Sequence, residues 1–358
     1  MRTKMLVVPI LLAGFVSSLF VDPSFAACAA QKDTDKKEVG QPFQYIPKEV
    51  RTVMLEGLTA RQARQDIPFN IFKTSFLPAQ QALYIIFFLK MKNIDLGFAP
   101  GAASPAAADA AAAAAAQPKL KATFNLFLQF HKMENGAPTQ IVKEVYVPAV
   151  IEAESAAFDS NKEEWYTVGY TLFPGNYLLA MAVTSYDLKK IGIQYCEFSL
   201  PDPKSFIKEL ETTPIFLLKE FKNTQAIEAK TELHKGFFAY SIAYITPNIE
   251  NTIAPGDPLD VFYVILGAQS TEQNIYDIEV QYEVKKDEET AIRFQPTSYV
   301  SPLVSHVLPM KQTLRRIQDD KELTETRDLA AGNYTLNMKI SDKISGNACA
   351  KKFDFTIK

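Results

Sequence analysis

Histidine, cysteine and tryptophan are scarce in these 358 residues: three, three and one. That stock cannot furnish a Cys-rich zinc module or a disulfide framework. The histidines, His131, His234 and His306, lie far apart in sequence. None has a second His or Cys at ligand spacing, and no H-E-x-x-H occurs, so all three read as surface or incidental residues. There is also no G-x-S-x-G, no G-x-G-x-x-G and no P-loop, which removes the common nucleophile and phosphate-binding signatures. A basic excess is missing as well. Lys and Arg number 38 against 41 Asp and Glu, a net charge of −3, so the electrostatic footprint of a nucleic-acid binder is absent. After residue 21 no apolar run reaches the roughly 18 residues that a spanning helix needs. Acidic pairs such as Glu163-Glu164 and Asp319-Asp320 sit in polar segments with no His, Arg or apolar pocket tied to them, the setting of a solvated surface. No catalytic residue, metal or cofactor is expected.

What is abundant is aromatic and apolar: 25 Phe, 15 Tyr and 47% hydrophobic residues, enough for sizeable cores in about two domains. The N-terminus has the order of an export signal. Arg2 and Lys4 precede an almost uncharged apolar stretch from Met5 to Val21, and Ser24, Phe25 and Ala26 offer a cleavage point before Ala27. Removing residues 1–26 takes away two cations and one anion, so the charge moves from −3 to −4. Phe25-Ala26-Ala27-Cys28 also resembles a bacterial lipoprotein box with Phe in place of the usual Leu, which makes Cys28 a possible lipidation site. Residues 27–42 are a polar, flexible lead-in. Pro47 to Arg64 carries a weak helical spacing through Val50, Val53, Met54 and Leu58.

Beyond that point the period is two. Leu120, Ala122, Phe124, Leu126, Leu128 and Phe130 share one strand face, opposite Lys121, Thr123, Asn125, Gln129 and His131, with Phe127 as the one exception. Tyr276, Ile278, Val280, Tyr282 and Val284 alternate in the same way with Asp277, Glu279, Gln281 and Glu283. Such strands bury one face and wet the other, as antiparallel sheets do. Segments 83–91 and 259–266 are nearly continuous apolar runs, which predict central strands covered on both sides.

An internal repeat organises the chain. Leu172-Phe173-Pro174-Gly175-Asn176-Tyr177-Leu178-Leu179 recurs 157 residues later as Leu329-Ala330-Ala331-Gly332-Asn333-Tyr334-Thr335-Leu336. An alternating strand follows in both copies, then a turn (Asp187 to Gly192, Asp342 to Gly346) and a last strand with a single Cys. A repeat this long is a domain duplication. Gly175 and Gly332 permit a tight turn. Tyr177 and Tyr334 have the placement of a tyrosine corner, the phenol reaching back to the backbone upstream. Each copy reads as the penultimate hairpin of an immunoglobulin-like sandwich. The boundary falls at Pro201-Asp202-Pro203, giving domains 43–203 and 204–358, the first interrupted by an Ala/Pro-rich loop at 99–118. With Cys28 set aside, Cys196 and Cys349 remain, one per repeat at equivalent places, and buried reduced thiols are expected. Trp165, Tyr166 and Tyr170 open an alternating strand and form a candidate glycan-binding face, set against simple core packing.

Leu172-x-Pro174-Gly175-x-Tyr177-x-Leu179, then Asp187 to Gly192 and Leu200-Pro201-Asp202, resembles the sandwich regions of large exported acidobacterial proteins that carry a von Willebrand factor A-related or GWxTD domain. Ile245 to Asn248, Ala254 to Leu259, Val261-Phe262-Tyr263 and Gly332 to Ile357 continue the likeness, and Leu55 to Pro68 joins it more loosely. The resemblance implies an exported envelope or secreted protein built of sandwiches. It carries no catalytic residues across: D-x-S-x-S is absent from the mature sequence, and Trp165 stands between Glu164 and Tyr166, outside any GWxTD motif. The expectation is therefore all-β: two tandem immunoglobulin-like sandwiches behind a short helical or extended lead-in. The expected role is an exported, non-enzymatic interaction or scaffold module binding an envelope or secreted protein partner, with a carbohydrate-binding module of the cell surface as the alternative.

Overall fold

The alternating segments do form strands, and the doubly apolar ones occupy the middle of the molecule. A computed structural model describes residues 45–100, 119–206, 208–228, 230–318 and 321–358. The signal segment, Cys28, the lead-in 27–42, residues 101–118 of the alanine-rich loop and Asp319-Asp320 lie outside the described residues. Helix α1 (Lys48–Glu56) comes first. Then follow β1 (Arg64–Gln65), β2 (Phe69–Ala79), β3 (Ala82–Lys92), β4 (Ala99–Pro100), β5 (Lys119–Glu134), β6 (Ala137–Glu154), β7 (Glu163–Leu172), β8 (Gly175–Ser185) and β9 (Ile191–Leu200). The second half holds β10 (Glu211–Thr212), β11 (Phe216–Asn223), β12 (Leu233–Lys235), β13 (Phe238–Tyr240), β14 (Ala243–Pro247), β15 (Thr252–Ile253), β16 (Leu259–Leu266) and β17 (Ile278–Lys286). It closes with β18 (Glu289–Arg293), β19 (Thr297–Tyr299), β20 (Leu303–Leu308), β21 (Lys311–Gln318), β22 (Lys321–Asp328), β23 (Gly332–Asp342) and β24 (Ala348–Ile357).

The protein is all-β, with two immunoglobulin-like sandwiches in tandem. In the first, a sheet of order β1-β9-β8-β5-β4, with β6 on the outer side of β5, faces a sheet of order β12-β7-β3-β2. In the second, β10-β16-β11-β14-β13 with β20 faces β15-β24-β23-β17-β18 with β19. Among the described residues strands β21 and β22 pair only with each other, as a separate ribbon. The repeat is exact at the level of strands. β8 and β9 map onto β23 and β24 at the 157-residue offset, and Tyr177 pairs with Phe198 as Tyr334 pairs with Phe355. Each copy is the last hairpin of its sandwich, not the penultimate one.

The two sandwiches share a core. Odd-numbered residues of β3 (Leu83, Ile85, Phe87, Leu89) point into the first sandwich. Ile86 and Phe88, on the opposite face, pack against Phe216, Leu218, Phe238, Ile245, Phe262 and Val264 of the second. The intervening residues of β16 (Val261, Tyr263, Ile265) fill the second sandwich. So β3 and β16 are apolar on both faces because they belong to the two inner layers of a four-layer stack. The boundary drawn at Pro203 is crossed as well: β12 pairs with β7, placing residues 233–235 in the first sandwich's sheet. The physical reason is the seam. Gly236 N–H donates to the Trp165 carbonyl, and Thr167 Oγ1 to the Phe237 carbonyl, so the chain is stitched across before it returns.

Helix α1 explains the exception at Phe127. Val50 and Met54 lie over the outer face of the first sheet with Phe127, Ala180, Ala182 and Ile193. That part of the polar face of β5 is therefore not wet: Asn125, Gln129 and His131 are buried, while Lys121 and Thr123 stay exposed. Burial without partners would cost about 1–3 kcal/mol per group, and they are satisfied in a chain. His131 Nε2 lies 2.8 Å from Gln129 Oε1, Gln129 Nε2 donates to Glu144 at 2.7 Å, and Arg51 of α1 pairs with the same carboxylate at 2.6 Å. Among the described residues the second sandwich has no helix of this kind, and on β17 Gln281 stays exposed.

Candidate functional site

The two tyrosine corners are built alike. Tyr177 Oη donates to the Phe173 carbonyl at 2.9 Å and Tyr334 Oη to the Ala330 carbonyl at 2.7 Å, each four residues upstream. Each ring stacks on its cross-strand Phe, Phe198 or Phe355, at 5.5 and 5.7 Å. Gly175 and Gly332 have φ near +150° and +151°, a region that only glycine enters freely. Burial raises both phenols' pKa. These residues close the sandwich edges, and their phenols are spent on the backbone bonds. Tyr177→Phe and Tyr334→Phe are each expected to lose about 1 kcal/mol. The costs should add in the double variant, because separate sandwiches share no partner; denaturant titration of the four chains checks this.

The candidate glycan face is not formed. Tyr166 is fully buried in the first core. Trp165 packs against Phe88 in the shared core, its ring 6.2 Å away. Tyr170 stacks on Phe130 at 5.5 Å, with Lys143 over its ring. The alternation of β7 sends Trp165 and Tyr166 to opposite faces, so the three rings do not form one planar row.

The two described cysteines, Cys196 and Cys349, are free, half-buried and not at equivalent places. Cys196 faces Leu179 and Cys349 faces Ile340; in the repeat frame Cys196 corresponds to Phe353 and Cys349 to Gly192. Burial raises both thiols' pKa, the wrong direction for a reactive thiolate. His306 also differs from its surface reading: it stacks 5.2 Å from Tyr282, and burial depresses its pKa. Tyr282 in turn links Tyr263 and Tyr299 in a chain of hydroxyls at 2.9 Å. That is a satisfied hydrogen-bond network, buried at Tyr263 and Tyr282 and half-buried at Tyr299.

The arrangement with most chemical potential lies at the seam. A cleft of about 650 Å³ opens between the sandwiches, lined by Tyr84, Tyr170, Glu228, Glu232 and Tyr240 among others. Tyr84 lies over Gly169, where any Cβ would fall 2.0 Å from its hydroxyl. Tyr240 Oη donates across the seam to the Pro78 carbonyl at 2.7 Å, and burial pushes its phenol up to about 12. Behind the cleft stands His234, buried at 8% exposure on β12. Its Nε2 lies 3.0 Å from Glu228 Oε2. Its ring stacks on Phe237 at 4.6 Å. Glu228 also takes a hydrogen bond from Tyr244, and its charge helps hold the Tyr84 and Tyr244 phenols above their ordinary value, after burial. Glu228, Glu232 and His234 each bring one donor atom within 4.8 Å of the others. Reading for paired His or Cys passed over this E-x-x-x-E-x-H spacing. Two carboxylates two and six residues before one His were the available signal.

A larger cleft of about 720 Å³ over β23 and β24 is lined mainly by polar and charged surface residues such as Asn337, Lys352 and Asp354, with none of the same convergence. The other open feature is an edge. The ladder of β6 joins only β5 among the described residues, over 18 residues. Beyond the sandwich body both faces of its first turns are exposed, including Ile141 and Val142.

No protein-family model and no curated protein matches the chain. Two solved structures of Salmonella alpha-2-macroglobulin, a point mutant and a form reacted with methylamine, match it at 10% identity. Their TM-scores are 0.16 and 0.15, covering 83% and 82% of this chain and 17% of the macroglobulin chain in each. This chain thus spans about a sixth of those structures' length, and the fold assignment stands on its own strand pairing. Among the described residues no helix is long and apolar enough to cross a membrane.

Proposed function

We propose that this chain is an exported, non-enzymatic interaction module of the bacterial envelope, and that it binds a protein partner by strand addition along β6. The observation that carries the reading is the open edge of β6, whose projecting tip presents the β-branched Ile141 and Val142 to solvent. An unpaired ladder of this kind offers main-chain hydrogen bonds to an incoming strand, and alternate side chains give the specificity. Edges are ordinarily blunted by prolines and charges. Here Pro138 and Pro148 flank a proline-free stretch, residues 139–147, whose two charges are engaged inward, Lys143 over the Tyr170 ring and Glu144 with Arg51 and Gln129. The basic and apolar N-terminus and the resemblance of the sandwiches to exported proteins support the compartment.

Exposure of Ile141 and Val142 makes the test clean, since charge there leaves the core untouched. The mature chain used as bait on a native envelope extract is expected to retain a partner. Ile141→Lys combined with Val142→Glu should lower recovery about tenfold or more while circular dichroism stays unchanged. Absence of any envelope association, or recovery indifferent to these changes, overturns the reading.

A further inference from the structure

We propose that Glu228, Glu232 and His234 form a binding site for one divalent first-row transition cation, of which Zn²⁺ is the representative, at the mouth of the seam cleft. The geometry is close to what such an ion requires. One donor atom from each residue already lies within 4.8 Å of the others. Ligands at about 2.0–2.2 Å from a tetrahedral zinc stand roughly 3.4 Å apart, so closure needs only a modest swing of the exposed Glu232. Glu228 and His234 are already at 3.0 Å.

The supports around the donors are those that hold a ligand in place. The His234 ring is fixed between the ladder of β12 with β7 and the face of Phe237. Glu228 is oriented by the Tyr244 phenol, an outer partner of the sort that positions metal-bound carboxylates. Glu232 makes no ion pair among the described residues, so its charge is available. A fourth position faces the cleft, open to water or to a donor on a bound molecule. One imidazole with two carboxylates is a mixed nitrogen and oxygen set, which favours zinc and its neighbours over magnesium or calcium.

The site also has a mechanical consequence. Glu228 and Glu232 belong to the segment between β11 and β12, His234 to the first sandwich's sheet, and the supporting Tyr244 to β14 of the second. A bound cation therefore ties the crossover to both sides of the seam, and, because the unfolded chain lacks the site, it stabilises only the folded state.

The test uses the full mature chain stripped with chelator and titrated with Zn²⁺ by calorimetry and by competition with a chromophoric chelator. One equivalent is expected to bind more tightly than about 10 µM and to raise the melting temperature. His234→Ala and Glu228→Gln should weaken that affinity about 100-fold, and Glu232→Gln about tenfold. Co²⁺ should give a d–d absorption that His234→Ala abolishes. Should His234→Ala not fold, Glu232→Gln decides alone, because its side chain is exposed and its removal leaves the fold intact. Failure to bind one equivalent, or an affinity equal in wild type and Glu232→Gln, overturns the proposal. The β6 variants leave this result unmoved, so the site and the strand-addition reading fail separately.

Discussion

Phe88→Ala is expected to cost about 3–5 kcal/mol, the range for emptying a fully buried aromatic site, and to separate the unfolding of the two sandwiches. Phe88 is completely buried at the centre of the shared core. Its ring stands 6.1 Å from Phe72, 6.2 Å from Trp165, 6.3 Å from Phe238 and 6.4 Å from Phe216. Two of those rings belong to the first half of the chain and two to the second. The side chain is therefore the hub through which each sandwich reports on the other. Phe87, the next residue, is equally buried but points into the first core, against Phe130 and Phe198. Phe87→Ala should lose comparable stability within one sandwich while leaving the seam closed. Calorimetry distinguishes them: two resolved transitions for Phe88→Ala, and a coupled profile for Phe87→Ala. A single transition displaced by less than about 1 kcal/mol in Phe88→Ala would mean that the seam does not hold the halves together.

This seam marks where sequence reading stops. Strict alternation in β5 and β17 revealed strands, and the Gly-x-Tyr repeat revealed both the duplication and the phenol-to-backbone bond at the same offset in each copy. The nearly continuous apolar runs of β3 and β16 revealed double burial, because a strand with a wet face would alternate. They did not say what lay on the second face. The partner of Phe88 is Phe216, 128 positions away, and nothing local in either segment encodes that pairing. The same limit applies to Phe127. It broke the pattern of β5 for a reason held in Val50 and Met54, whose helical spacing was legible but whose docking place was not. Asn125, Gln129 and His131 had the composition of a wet face and became a dry, bonded one only because α1 lies across it.

The candidate site was least legible of all. His234 had no His or Cys companion, and carboxylates are too common to make a pattern by themselves. What gives them meaning is the crossing of β12 onto β7, which buries the imidazole and turns Glu228 toward it. The glycan face failed for the complementary reason. Three aromatics close in sequence looked like one surface, whereas a strand alternates its neighbours between two: Tyr166 went into the first core and Trp165 into the shared one.

Asp260→Asn should stabilise the protein at neutral pH, by about 1–2 kcal/mol, and the gain should vanish in acid. Asp260 lies on β16, on the face shared by Phe262 and Val264, and its Oδ1 is buried without a hydrogen-bond partner among the described residues. Burial pushes its carboxyl from 3.8 up to about 6. Each pH unit of such a shift is worth about 1.4 kcal/mol, and partial exposure of the side chain reduces the full difference to the range given. The sign follows from proton uptake. Between about pH 4 and 6 the folded chain holds this proton and the unfolded chain does not, so wild-type stability falls as pH rises through that window and then levels off. Asparagine has no such slope. His131 and His306 act in the opposite sense: burial holds both below 6.5, so the unfolded chain gains protons first and stability is lost as pH falls below that value. That acid loss persists in Asp260→Asn, and the difference between the two chains isolates the carboxylate. Denaturant titrations at pH 7.5 and pH 4 are expected to give a gap of about 1–2 kcal/mol that shrinks below about 0.5 kcal/mol. A gap that does not change with pH, or a variant less stable at pH 7.5, would mean that Asp260 has a partner in solution and that β16 carries a bonded carboxylate into the seam, not a strained one.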